Sequence, residues 1–325
     1  MAGQDQYNIG FDMMYKRISI NANYYYNQTK NLVSNISIVP STGFNTVDDN
    51  LGEVMNRGWE ISLGYTPWQS KDGFLNISGA ITTNKNEITK LSESMRAFNE
   101  LQDKLAAEYN NTAPVRKYIE GMPLNAIWAV PSQGIDPMTG REVFINREGK
   151  RTYDWSEKDM VYCGQTDPKY RGTVGFNVEY KGFGLSAYGT YEGGCEYYNY
   201  TLVERVEDAN IRGNVDRRVL QGRWTTPGQN ALYTTKRPSY QTSTGSASAS
   251  TRLTSRFVQK RDEFSISSLN FYYNFSESVA RKMRLKRLQL KCSMDNVATF
   301  SSIRLERGTS YPFARTLYFT LLATF

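Results

Sequence analysis

Val174-Gly175-Phe176-Asn177-Val178-Glu179-Tyr180-Lys181-Gly182-Phe183-Gly184-Leu185-Ser186-Ala187 is the stretch that decides how this chain folds. Apolar side chains fall on every second residue, at Val174, Phe176, Val178 and Tyr180, and resume after Lys181-Gly182 at Phe183, Leu185 and Ala187. Successive side chains of a strand point to opposite faces, so the spacing makes an apolar ribbon with Asn177, Glu179 and Ser186 on its reverse. Two intervening residues allow only a tight antiparallel hairpin. Gly182 to Ala187 also fits GxGxxA. A dinucleotide site needs a helix after those glycines, whereas here alternation runs on, so the reading is a hairpin turn.

The same signal recurs in both directions. Tyr7, Ile9, Phe11 and Met13 lead through Tyr15-Lys16-Arg17 into Ile18, Ile20, Ala22, Tyr24 and Tyr26. Trp59, Ile61, Leu63 and Tyr65 turn at Pro67 to Gly73 into Leu75, Ile77, Gly79 and Ile81. Leu269, Phe271, Tyr273 and Phe275 form one apolar face, Leu288, Leu290, Cys292 and Met294 the next, and Leu317, Phe319, Leu321, Ala323 and Phe325 the last. The pattern predicts nine strands. Short links follow the first, third, fifth and seventh; long ones, Lys30–Val54, Lys85–Gly172, Glu192–Glu263 and Val297–Phe313, follow the others. Sorting of connection length by strand parity belongs to outer-membrane barrels, with short periplasmic turns and long extracellular loops, and has no cause in a soluble sandwich.

Composition agrees. The 325 residues are 13% aromatic, with 23 tyrosines, and mean hydropathy is −0.57. No stretch approaches the ~18 apolar residues of a membrane helix, so any bilayer crossing must use strands of about 9–11 residues. Asn21, Asn23, Glu60, Ser62, Asn76, Ser78, Glu179, Arg287, Gln289 and Lys291 occupy the polar face and are expected to line a wet lumen, because a basic side chain on the lipid face costs about 2–4 kcal/mol at mid-bilayer. The competing arrangement, a soluble barrel or sandwich, would pack Trp59, Phe271, Phe319 and Leu321 into a dry interior.

Several chemistries are excluded. The chain has no histidine, which removes Ser-His and Cys-His nucleophiles, HExxH zinc sites and haem ligation by histidine; the chain is read as not an enzyme and as needing no cofactor. Cys163, Cys195 and Cys292 lack CxxC spacing; Cys163 and Cys195 flank one predicted hairpin, so either a bridge at its outer end or free thiols is open. The net charge of +7 is spread along the chain without blocks, a pattern that argues against nucleic acid and fits loops facing anionic lipopolysaccharide. Asp136 to Gly140 and Arg147 to Lys150 read as turns, since calcium-ligand spacing is missing. Within the longest loop, Leu91, Met95, Phe98, Leu101 and Leu105 mark one amphipathic helix, facing a partner or covering the loop's own core. Gln241 to Thr251 has almost nothing apolar to bury and is expected to be mobile. Trp128, Tyr197, Tyr198 and Tyr200 fall on predicted outer loops, where aromatic faces can stack on sugar rings or pack on a partner, or else belong to the interfacial girdle.

Several motifs then occur in a fixed order: NRGWEISLGYTP (56–67), EGMPLNAIW (120–128), GIDPMTGREVF (134–144), DPKYRGTVGF (167–176), NVDRRVL (214–220), SRFVQKRDEF (255–264) and SSIRLERGTSYPFART (301–316). With the alternating final strand ending at Phe325, they make nearly the whole chain resemble the C-terminal barrel region of SusC/RagA TonB-linked outer-membrane transporters. The resemblance implies a 22-stranded barrel with an N-terminal plug, energised through the TonB complex and capped by a SusD-like lipoprotein that delivers glycans or peptides. On this reading residues 1–325 are one barrel portion in the outer membrane, an all-β antiparallel transmembrane unit in contact with outer-membrane lipid. The opening residues lack the basic and apolar regions of a secretory signal, so upstream sequence carrying signal, TonB box and plug is expected. The alternatives are a barrel-anchored adhesive surface protein and a non-functional truncated transporter.

Overall fold

In the computed structural model of the chain, described for residues 3–37, 46–107, 116–209, 215–234, 241–242, 245–246, 251–303 and 315–325, one antiparallel sheet dominates. Its strands are β1 (Gly3–Tyr15), β2 (Ile18–Ser37), β3 (Thr46–Gln69), β4 (Gly73–Thr83), β5 (Lys85–Leu91), β6 (Tyr170–Tyr180), β7 (Phe183–Tyr198), β8 (Val258–Asn274), β9 (Arg287–Ser301) and β10 (Thr316–Thr324). Nine of them follow one another across the sheet as β1-β2-β3-β4-β6-β7-β8-β9-β10, and β5 pairs with the outer end of β3. The sheet is open, with β1 and β10 as its edges, both exposed along their whole length.

Each apolar run forms a strand, and register aligns the runs. Trp59 pairs with Tyr24, Ile61 with Ala22 and Ile81, Phe176 with Ile77 and Ala187, Leu185 with Phe271, and Cys292 with Phe319. All therefore share one face, and that face is uncovered: Phe319 is 73% and Leu321 67% exposed, with Trp59 and Phe271 about half exposed. A soluble sandwich would bury them. Among the described residues the fully buried apolar side chains instead lie in the loops, at the outer ends of β3 and β7, in β5, and beside the short helix α2 (Glu277–Lys282), where Ala280, Leu285 and Leu288 pack together.

The reverse face carries hydrogen-bonded polar rungs. Asn21 donates to Asp12, Thr66 to Asn76 (2.9 Å), Tyr272 to Glu179 (2.8 Å) and Gln289 to Asn274 (2.8 Å). Tyrosines on this face lie over glycines of the neighbouring strand: Tyr188 over Gly175 and Tyr272 over Gly184. A Cβ on Gly184 would stand 2.0 Å from the Tyr272 ring. Gly184→Val is therefore expected to cost about 1–3 kcal/mol, the usual penalty of forced overpacking. It should be read as a lower temperature for loss of the compact, heat-modifiable gel band, and a band as heat-resistant as wild type's would refute the packing role.

Aromatics close the apolar band at both ends. Trp68 and Tyr180, 6.0 Å apart, and Phe183 and Tyr273, 4.4 Å apart, lie near the short turns. Tyr24 and Trp59, 5.0 Å apart, Tyr7 and Tyr26, and Phe264 and Phe300 lie at the other end. From Trp59 to Trp68 β3 advances nine residues, about 30 Å of strand; a tilt near ~40° leaves roughly 23 Å, close to the ~25 Å apolar band of outer-membrane barrels.

Connection length sorts by parity as expected. Lys16-Arg17, Ser70 to Asp72, Lys181-Gly182 and the α2 segment join strands at one end, and the long insertions leave from the other. Lys181 and Gly182 both have positive φ (49° and 85°), the backbone of a type I′ hairpin turn. One expectation is corrected: Lys30 to Val54 is not a free loop, because β2 runs to Ser37 and β3 begins at Thr46. Backbone pairing continues there past a register shift beside Asn31 (φ 51°), where no apolar face is needed and alternation no longer marks the strand.

The predicted helix is α1 (Glu93–Ala107). Ser92 caps it, its hydroxyl accepting from Met95 N at 3.3 Å. Met95 is wholly buried among Leu32, Leu91, Phe98, Tyr118 and Leu124, so the helix covers a small core that its own loop shares with Leu32 of β2. The side chain of Leu105 falls outside the described residues. So does most of Gln241 to Thr251, whose predicted mobility concerns residues not described; Gln241–Thr242 pairs with Gly245–Ser246.

Candidate functional site

The two long insertions, 84–169 and 199–257, interlock above the outer ends of the strands. Trp128, Ala129, Val130, Phe144, Met160, Tyr198, Val203, Leu253 and Phe257 form their common core. Val130 bridges Thr254 in the other insertion, and the indole N–H of Trp155 donates to Leu253 O at 2.9 Å. Arg256 lies almost buried between Glu142 and Glu207, with Nη2 3.0 Å from Glu142 Oε2 and 3.1 Å from Glu207 Oε1. Burial works against its charge, and the two carboxylates outweigh that and hold the guanidinium protonated above its usual range. Arg223 donates to the carbonyls of Val219 (3.1 Å), Thr234 (2.9 Å), Val206 and Glu207, closing the second insertion on itself.

This core takes two of the four aromatics that the sequence places on outer loops. Trp128 is 6% and Tyr198 3% exposed. The indole N–H of Trp128 donates to Lys117 O at 2.9 Å, and Tyr198 packs edge-on against Phe257. Burial pushes the Tyr198 phenol well above its ordinary pKa. Their rings brace the loops and offer no face to a ligand. Tyr200 remains exposed at its place 5.0 Å from the Tyr198 ring, and Tyr197 is half-buried opposite Gln259.

Asp136 acts as a turn residue: its carboxylate accepts from Met138 N (2.8 Å), the Thr139 hydroxyl (2.8 Å) and the Tyr153 hydroxyl (2.5 Å), and these bonds, that of Tyr153 foremost, lower its pKa. Gly140 (φ 68°) and Gly149 (φ 76°) complete the two turns. Cys163 and Cys195 are free thiols directed at different carbonyls, Ala129 O and Arg261 O, and burial raises the pKa of both.

Sequence reasoning missed a charged row at the outer end of the polar face. Register places Thr82, Arg171, Glu192, Glu263 and Ser301 side by side on five successive strands. Arg171, Glu192 and Glu263 line a cavity of about 420 Å³ beneath the loops. Arg261 bonds Glu192 and stands 3.8 Å from Glu263, while Arg171 has no ion-pair partner among the described residues. Alternation shows that each is polar-facing; only cross-strand register shows that they meet.

No family model matches the chain. It is 23% identical over 336 residues to the TonB-dependent receptor P39 of Formosa agariphila, an alignment covering 92% of this chain and 32% of that protein. It is 28% identical over 184 residues to the TonB-dependent receptor SusC of Bacteroides thetaiotaomicron, covering 55% of this chain and 18% of SusC. Its fold is similar to that of the RagAB peptide transporter, with a TM-score of 0.73 and 18% identity over 93% of this chain and 32% of that one. The chain thus spans about a third or less of the length of these relatives. With its uncovered apolar face, polar reverse face and parity-sorted loops, the chain is similar to a β-barrel portion of TonB-dependent receptors of the SusC/RagA type.

Proposed function

We propose that this chain is part of the wall of an outer-membrane active importer of oligomeric nutrients, glycans or peptides, energised through TonB and working with a SusD-like lipoprotein. The observation that carries the reading is the continuous polar column on one face of the sheet, which ends beneath the loop module in the Arg171, Glu192 and Glu263 cavity. A charged row facing a bore has the chemistry to hold the carboxylates, amides or hydroxyls of a passing oligomer. The loop module supplies the rigid outer surface on which a lipoprotein lid docks, with Tyr197 and Tyr200 as contacts for cargo or lid; no residue here performs catalysis.

The test is uptake of labelled oligosaccharides and oligopeptides by cells that depend on the receptor containing this chain. Depleting TonB is expected to reduce uptake of one of these classes to background, and Arg171→Ala to weaken it with the receptor's surface abundance unchanged. Uptake that persists without TonB refutes the importer reading and leaves a barrel-anchored surface protein in its place.

A further inference from the structure

A second cavity lies on the opposite side of the wall. It measures about 600 Å³ and is lined by Tyr24, Trp59, Arg57, Lys85, Lys169 and Tyr162, among others. Register fixes where it points. Trp59 pairs with Tyr24, and Arg57 pairs with both Tyr26 and Lys85, so these side chains share the apolar, outward face of the sheet. Trp59 and Tyr24 belong to the aromatic belt at the loop end. Arg57 and Lys85 stand two residues beyond it, roughly 5 Å farther from the apolar band.

The balance of charge there is positive. Lys85 is paired with Glu87 at 2.8 Å. Arg57 and Lys169 are exposed and have no ion-pair partner among the described residues. Unneutralised cations just above an interfacial aromatic belt stand at the depth of lipid headgroups, where anionic groups are concentrated. The apolar floor under them, Trp59 and Tyr24, suits the boundary between headgroup and acyl chain. Guanidinium and ammonium together match a phosphate, which accepts a fork of two N–H donors from the first and a point charge from the second.

We propose that this cavity binds the phosphate-bearing headgroup of an outer-leaflet glycolipid, through Arg57 and Lys169 with Lys85 beside them. The inference rests on the outer-membrane reading above, and one experiment separates the two. The whole receptor, purified from its membrane, is reconstituted in vesicles containing a phosphorylated lipid A or its dephosphorylated form, re-extracted, washed, and its retained glycolipid measured by mass spectrometry. Wild type is expected to retain the phosphorylated lipid preferentially. Arg57→Gln with Lys169→Gln should lower retention about five-fold per charge removed, and the charge-keeping pair Arg57→Lys with Lys169→Arg should restore most of it. Should the glutamine variant fail to insert, the phosphate preference of wild type decides alone. Equal retention of both lipids, or unchanged retention in the glutamine variant, overturns the site. Displacement of the lipid by millimolar inorganic phosphate overturns the lipid assignment. Recovery of wild type outside the membrane fraction overturns the membrane reading and the site together.

Discussion

Leu63→Arg is expected to prevent most of the receptor from reaching its folded, heat-modifiable form, while Ser62→Arg, one residue away, leaves it nearly unchanged. Leu63 lies midway between Trp59 and Trp68 on the outward face of β3 and is exposed there. An arginine at mid-bilayer costs about 2–4 kcal/mol. Ser62 pairs with Asn21 on the polar face, where the same side chain stays hydrated. The pair of variants isolates orientation from every other property of the strand. Equal folding of the two would mean that lipid does not touch the outward face, and a worse result for Ser62→Arg would reverse the sidedness of the sheet.

Arg256→Leu is expected to open the loop module while sparing the barrel wall. The side chain of Glu207 is 0% exposed, that of Glu142 8% and that of Arg256 11%. Removing the arginine strands two carboxylates in the interior, and breaking a buried pair in this way costs about 3–5 kcal/mol. Replacing the set together, as Arg256→Met with Glu142→Leu and Glu207→Leu, should recover most of that loss, since apolar side chains of similar size need no counter-charge. Hydrogen exchange followed by peptide mass spectrometry reads the outcome: residues 116–165, 199–209 and 215–234 lose protection in the single variant and regain it in the triple. Unaltered protection in Arg256→Leu would show that the ion triad is incidental to the module.

What the sequence discloses about this chain follows from which interactions are local. Alternation at Val174 to Ala187 or Trp59 to Tyr65 is imposed by a boundary between apolar and polar surroundings, so strand, hairpin and face can all be read from one segment. The α1 stripe is legible for the same reason, at a different period. Outside the apolar band that boundary is gone, and the extension of β2 and β3 past Lys30 and Val54 leaves no mark in the pattern. Site residues are less legible still. Trp128 and Tyr198 look like loop aromatics until the second insertion is known to close over them, more than fifty residues away in the chain. Arg171, Glu192 and Glu263, and equally Arg57 and Lys169, acquire meaning only from cross-strand neighbours, which alternation does not specify.

The tyrosines laid over glycines give the inner surface a particular texture. Tyr188 and Tyr272 recline on the adjoining strand at Gly175 and Gly184 instead of projecting from their own. Each ring rises little above the polar face and presents a flat aromatic tile flush with the sheet. In the importer proposed above, a solute sliding past would meet a smooth, weakly adhesive pavement between the polar rungs, a surface on which it is held briefly and released many times in succession.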